Sequence, residues 1–205
     1  MSSLLTGLLA GYAIAMPPGA VSSLIIRTGL PRGFALALAA GWGAASVDFA
    51  YCSVAVLAGA AVVPLLGAVD LPLRVATGIV LIGLGLRGML RARTDAPVAT
   101  GAPDRGDLLR TYLRFVGITA VNPATLAYFA AVALGFAGAV LQDAFAFVAG
   151  VFLASASWHL VLATFSGALH GRLGPRARLG LALVANGVVV ALGLRILLQL
   201  AGWWR

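Results

Sequence analysis

Apolar residues run along this chain in long unbroken blocks, not in the one-face or alternating patterns of soluble helices and strands. A helix that crosses a bilayer needs about 20 apolar residues, because each residue rises about 1.5 Å across about 30 Å of hydrocarbon. Six blocks meet that length: Leu4–Ile26, Phe34–Val63, Leu71–Leu90, Tyr112–Phe136, Ala144–Leu169 and Leu179–Leu200. The second is long enough to tilt, or to end early near Gly59. The third carries Arg74 and Arg87 near its ends, where long cationic side chains can reach the interface. The first block is too long for the core of a signal peptide and leads into further spans, so it reads as a retained span.

Two blocks are interrupted at their centres. "AMPPGAV", Ala15 to Val21, places Pro17, Pro18 and Gly19 inside the first, and "VNPATLAYF", Val121 to Phe129, places Asn122 and Pro123 inside the fourth. An interior proline removes a backbone hydrogen bond and clashes one turn back, at about 3 kcal/mol. Backbone groups freed in hydrocarbon are tolerated only where protein buries them or where they line a watery cavity. Two breaks at matching depth point to a pair of discontinuous helices that bind a polar ligand. A second likeness joins the halves: "GWGAASVDFAY" (Gly41–Tyr51) resembles "GVFLASASWHL" (Gly150–Leu160) in its small residues. Three spans per half give the halves opposite orientations, which is the inverted repeat used by many transporters. The expected fold is an all-α integral membrane protein with six transmembrane helices, arranged as two inverted three-helix repeats with helices 1 and 4 broken. Residues 1–90 form the first repeat, 91–111 a cytoplasmic linker and 112–205 the second repeat. Within the linker, "RARTDAPVATGAPDRGD" (Arg91–Asp107) lacks apolar periodicity and is expected to be mobile.

Composition agrees: 61% of the residues are hydrophobic and 10% charged, with a mean hydropathy of +1.04. A soluble domain carries about 45–50% apolar and about 25% charged residues. Every cation is Arg and every acid Asp, and the formal charge is +8. In a soluble protein that balance would suggest nucleic acid. Here eleven of the fourteen arginines lie in links one, three and five. The positive-inside rule therefore makes those links cytoplasmic, leaves both termini outside and removes any need for a nucleic-acid partner. Cys52 is the only cysteine, so no internal disulfide or dithiol redox pair can form.

Few residues at membrane depth carry chemistry. Asp48 is the only carboxylate inside a span. A charge at the centre of a membrane helix costs about 2.5–3.5 kcal/mol on insertion scales, and such groups mark ion and proton paths. Asp48 is the candidate for ion coupling. Asn122 offers donors and acceptors beside Pro123. Ser22, Ser23, Thr125 and Tyr128 lie about one turn beyond the breaks, and His159 is a candidate proton partner for Asp48. The chain has no His/Cys metal cluster, no phosphate-binding loop and no metalloprotease motif. Enzyme function, a metal and a cofactor are not expected.

These residues resemble the LysE/RhtB superfamily of amino-acid exporters over nearly the whole chain. "AMPPGAV" falls where that family has its first Gly/Pro motif, and "GWGAASVDFAY" has Asp48 where the family often has an Asp. "FVGITAVNPATLAYF" (Phe115–Phe129) matches the family's "F..G....NP", and "NGVVVALGLRILL" (Asn186–Leu198) its spaced glycines. Two positions depart, both bearing on substrate identity. Ala124 stands where the family often has Lys, and Ala20 where it has Pro. The superfamily's thiol–disulfide carriers need a cysteine pair, and its metal exporters a histidine-bearing linker; this chain has neither.

The resemblance implies a secondary transporter that exports an amino acid or similar small zwitterion across the cell membrane, coupled to an ion gradient, with a proton as the coupling ion. The alternative is a non-transporting membrane scaffold or assembly subunit. The expected substrate site is Pro17, Pro18, Gly19, Asn122, Pro123 and Thr125, with Asp48 coupling the ion and Ser22, Tyr128 and His159 accessory. Its partners are then the lipid bilayer, the small polar substrate and the coupling proton, with a homodimer left open.

Overall fold

The computed structural model describes residues 2–16, 19–58, 63–93, 102–135, 141–172 and 174–200. Eight α-helices occupy these residues: α1 (Ser3–Ala15), α2 (Ala20–Arg32), α3 (Phe34–Ala58), α4 (Val63–Arg93), α5 (Arg105–Ala120), α6 (Pro123–Gly135), α7 (Leu141–Ala168) and α8 (Pro175–Leu200). The protein is an all-α integral membrane protein. α3, α7 and α8 are each long and apolar enough to cross a bilayer. The pairs α1–α2 and α5–α6 meet the same requirement as bent units, with angles of 74° and 62°. α4 is 31 residues long and packs along α8. Most of the outward surface is greasy: Phe145 is 82% exposed, and Leu57, Ile79, Leu90 and Val184 are also exposed. Such a surface suits lipid, where outward apolar side chains lose nothing.

Sequence and structure differ at the first link. The stretch after Ile26 is not a loop, because α2 continues to Arg32 with Pro31 in its last turn. Gly33 alone turns the chain into α3, at a φ of +85°. That is the left-handed region, which only glycine enters cheaply. Arg32 then reaches Asp107 at the start of α5, 3.7 Å away. Both partners are solvated, so the pair contributes at most about 1 kcal/mol. Much of the linker expected to be mobile lies outside the described residues. Its end is helical, because Asp104 caps α5 by accepting from the Asp107 amide at 2.6 Å.

The helices pack through small residues. α1 lies along α7, with Gly7 against the Phe147 backbone and Gly11 against Val151 and Ala154. α3 lies along α5, with Gly43 against the Tyr112 carbonyl and Phe115. α4 runs antiparallel to α8, with Gly78 against Leu197 and Gly193, and Gly85 against Val190. Where no hydrophobic force drives helix association, close backbone approach supplies the attraction. Exchanging the halves maps α1 on α7 to α5 on α3, and leaves the α3–α7 and α4–α8 pairs in place. Two apolar clusters fill the bundle. One gathers around Ile25, Ala37, Phe115 and Val189, the other around Cys52, Phe129, Phe147 and Val151.

Candidate functional site

The α5–α6 break follows from Pro123. Without an N–H, Pro123 cannot bond the Thr119 carbonyl, and the Asn122 amide bonds that oxygen instead at 3.2 Å. The Ala124 amide turns to the Asn122 side chain, whose Oδ1 accepts at 3.1 Å and so caps α6. The carbonyls of Ala120 and Val121 lose their helical partners and gain hydroxyls from other helices. Tyr51 of α3 donates to Ala120 at 2.7 Å, and Thr77 of α4 donates to Val121 at 2.6 Å. The carbonyls here stabilise the break and are already occupied, whereas the sequence pattern alone suggested them for a ligand. Thr77→Val should lower stability in detergent by about 1–2 kcal/mol, the usual effect of leaving a buried acceptor without its donor. An unchanged unfolding midpoint would show that the bend holds without that hydroxyl.

The first break is different. Pro17 and Pro18 lie outside the described residues. Beyond them, Gly19 is extended, with φ −139° and ψ −178°, and gives α2 no side-chain cap. The first amides of a helix have no partner within the helix itself. The helix dipole adds about half a positive charge at the same end.

A cavity of about 380 Å³ lies between the two breaks. Gly19, Ser22, Asn122, Pro123, Thr125, Tyr128, Asp48 and His159 all line it. Of the described candidates, all but Ser23 therefore line one cavity, although they come from α2, α3, α6, α7 and the two breaks. Asp48 is 5% exposed, and its Oδ2 accepts from the Ser155 hydroxyl at 2.6 Å. The Ser155 oxygen is also 3.3 Å from Nδ1 of His159, which is 4% exposed. With its proton given to Asp48, the serine oxygen can receive only from an N–H at Nδ1. Asp48 and His159 are thus joined through Ser155 and do not touch directly. The sequence placed Ser155 opposite Ser46 as a repeat match and missed this role.

Among the described residues, four further polar residues of the wall escaped the sequence reading as site residues: Thr119, Arg74, Arg195 and Gln199. Arg74 read as an interfacial snorkelling residue. Arg195 stands within the last apolar block, where the reasoning applied to Asp48 would have found it. Among the described residues, no three His, Cys, Asp or Glu side chains converge as metal ligands would.

Toward the other end of the α4–α8 pair, Nη1 of Arg27 donates to Oδ1 of Asn186 at 2.8 Å and to the Leu84 carbonyl at 3.0 Å. Asn186 is fully buried, and its amide nitrogen donates to Ala182 at 2.7 Å. These bonds tie α2, α4 and α8 together.

A membrane-embedded bundle with a polar cavity at the meeting point of two broken helices has the architecture of a transporter. The family model for the LysE type translocator matches residues 12–200, and the chain belongs to that family. The protein is accordingly a multi-pass membrane translocator. No curated protein and no solved structure matches the chain.

Proposed function

We propose that the protein exports an amino acid or a similar small zwitterionic metabolite across the cytoplasmic membrane, in exchange for an inward proton. The observation that carries this reading is the cavity reached by both helix breaks and by the buried Asp48. Its volume of about 380 Å³ suits a small metabolite. The α2 N-terminus favours a carboxylate, and Asp48 lies where an ammonium group or a proton could bind. Asp48, Ser155 and His159 form the coupling group, since each member can hold or pass a proton.

The reading includes six spans in two inverted repeats, residues 1–90 and 112–205, joined by a cytoplasmic linker. The symmetric exchange of packing partners supports it, as does the arginine bias of the first, third and fifth links. Both termini then face outward, and the Arg27–Asn186 contacts lie toward the cytoplasm. Two measurements test the proposal. Reporters fused at Ala99 and Arg205 should fall on opposite sides of the membrane; a cytoplasmic C-terminus would overturn the topology. Proteoliposomes loaded with amino acids should release one of them faster than protein-free vesicles, and a pH gradient should drive that release. Release of none would leave the chain without the proposed activity.

A further inference from the structure

We infer that the translocated substrate is acidic, carrying a second carboxylate that Arg195 recognises on the cavity wall. The inference rests on the proposed reading of the cavity as the substrate site and names the substrate class within it.

Among the described residues, Arg195 lines the wall together with Asp48, one of whose oxygens is already bonded by Ser155. The uncapped start of α2 adds positive potential to the same wall. A second feature calls for a ligand there. Thr119 is 2% exposed and lines the cavity, yet its hydroxyl has no hydrogen-bond partner among the described residues. A buried polar group without a partner is rare in a finished site and marks a place that a bound group completes.

Three substrate classes fit this wall unequally. A neutral amino acid would place its carboxylate at the α2 amides and its ammonium near Asp48, with nothing for the guanidinium of Arg195. A basic amino acid would bring a second cation up to that guanidinium. An acidic amino acid gives Arg195 a planar carboxylate, which a guanidinium binds through two parallel N–H bonds. Among the described residues Arg195 makes no ion pair of its own, and it stands in the apolar span of α8. A cation kept in such a place needs a function, and recognition of an anion supplies one.

Glutamate and glutamine differ only in the group at issue, so they form the test. Binding to the purified full chain in detergent is measured by titration calorimetry with L-glutamate, L-aspartate, L-glutamine, L-threonine and L-lysine. Glutamate or aspartate should bind at least about tenfold more tightly than glutamine, the preference of a site built around a charged hydrogen bond. Arg195→Gln should remove that preference, and Arg195→Lys should retain part of it. Equal or tighter binding of glutamine, preference for threonine or lysine, or no binding by any of the five would overturn the inference. So would a ratio unchanged in Arg195→Gln. If that variant does not fold, the wild-type ratio decides alone. Efflux with the same five compounds separates the two proposals. Threonine or lysine bound and moved would sustain export and sink the acidic substrate. Glutamate bound with the stated preference, but not moved, would sustain the recognition and sink export.

Discussion

Asp48→Asn should abolish the pH dependence of efflux while leaving the protein folded, inserted and able to exchange substrate at equilibrium. Asparagine keeps the shape of the side chain, and its Oδ1 can still accept from the Ser155 hydroxyl that now lies 2.6 Å from Asp48. What it cannot do is gain and lose a proton. Among the described residues, Asp48 is the only carboxylate that lines the cavity. The titratable groups nearest it are His159, reached through Ser155, and Cys52, one turn further along α3. On the proposed coupling role, removing the Asp48 carboxylate removes the acidic site for the proton. Release driven by a pH gradient should fall to the level of protein-free vesicles, while isotope exchange between equal substrate pools stays near the wild-type rate. Ser155→Ala, which cuts the bridge to His159 and leaves the carboxylate, should give an intermediate pH profile. An unchanged profile in Asp48→Asn would reject the coupling role. Loss of exchange together with coupling would assign Asp48 to substrate binding.

The second large effect is structural. Gly11→Leu should prevent stable packing of α1 on α7, whereas Gly83→Leu should be tolerated. A Cβ added at Gly11 would lie 2.7 Å from the Ala154 Cβ and 2.8 Å from both the Cα and the carbonyl oxygen of Val151. Backbone atoms cannot swing aside, so the helices must separate. Gly7 and Gly150 lie on the same seam, against Phe147 and Leu8, and separation there would loosen those contacts too. Overpacking of this kind costs about 1–3 kcal/mol and more when backbone must move. At Gly83 an added Cβ meets nothing within 4 Å. Losing a helical glycine there should instead stabilise the helix, by up to about 1 kcal/mol. Unfolding midpoints in detergent, with the yield of monodisperse protein, measure both variants. Equal behaviour of the two would show that the α1–α7 seam is not set by glycine.

Much of the candidate site was legible because hydrocarbon penalises polar groups so heavily. Asp48, Asn122–Pro123 and Gly19 stand out in an apolar sequence for that reason alone, and the broken first and fourth helices follow from backbone hydrogen-bond loss at proline. Helix lengths were legible on the same grounds. The spans carried by α3, α7 and α8, which are Phe34–Ala58, Ala144–Ala168 and Leu179–Leu200, fall within the blocks that the 20-residue requirement selects.

The rest depended on which side chains meet across helices, and apolar blocks do not encode that. Pro123 implied freed carbonyls, but only packing shows that the hydroxyls of Tyr51 and Thr77 satisfy them. His159 suggested a partner for Asp48, but only the α3–α7 register inserts Ser155 between them. Arg74 read as an end residue of its span, and Arg195 drew no reading within its own. The antiparallel α4–α8 pair brings both to one wall, because Gly78 lets the backbones close on each other. The sequence determined that the chain lies in a membrane and where its helices break, since both follow from the transfer of single residues out of water. The tertiary structure decided the electrostatic character of the cavity, since that arises from charges far apart in the chain meeting in a medium that screens them poorly.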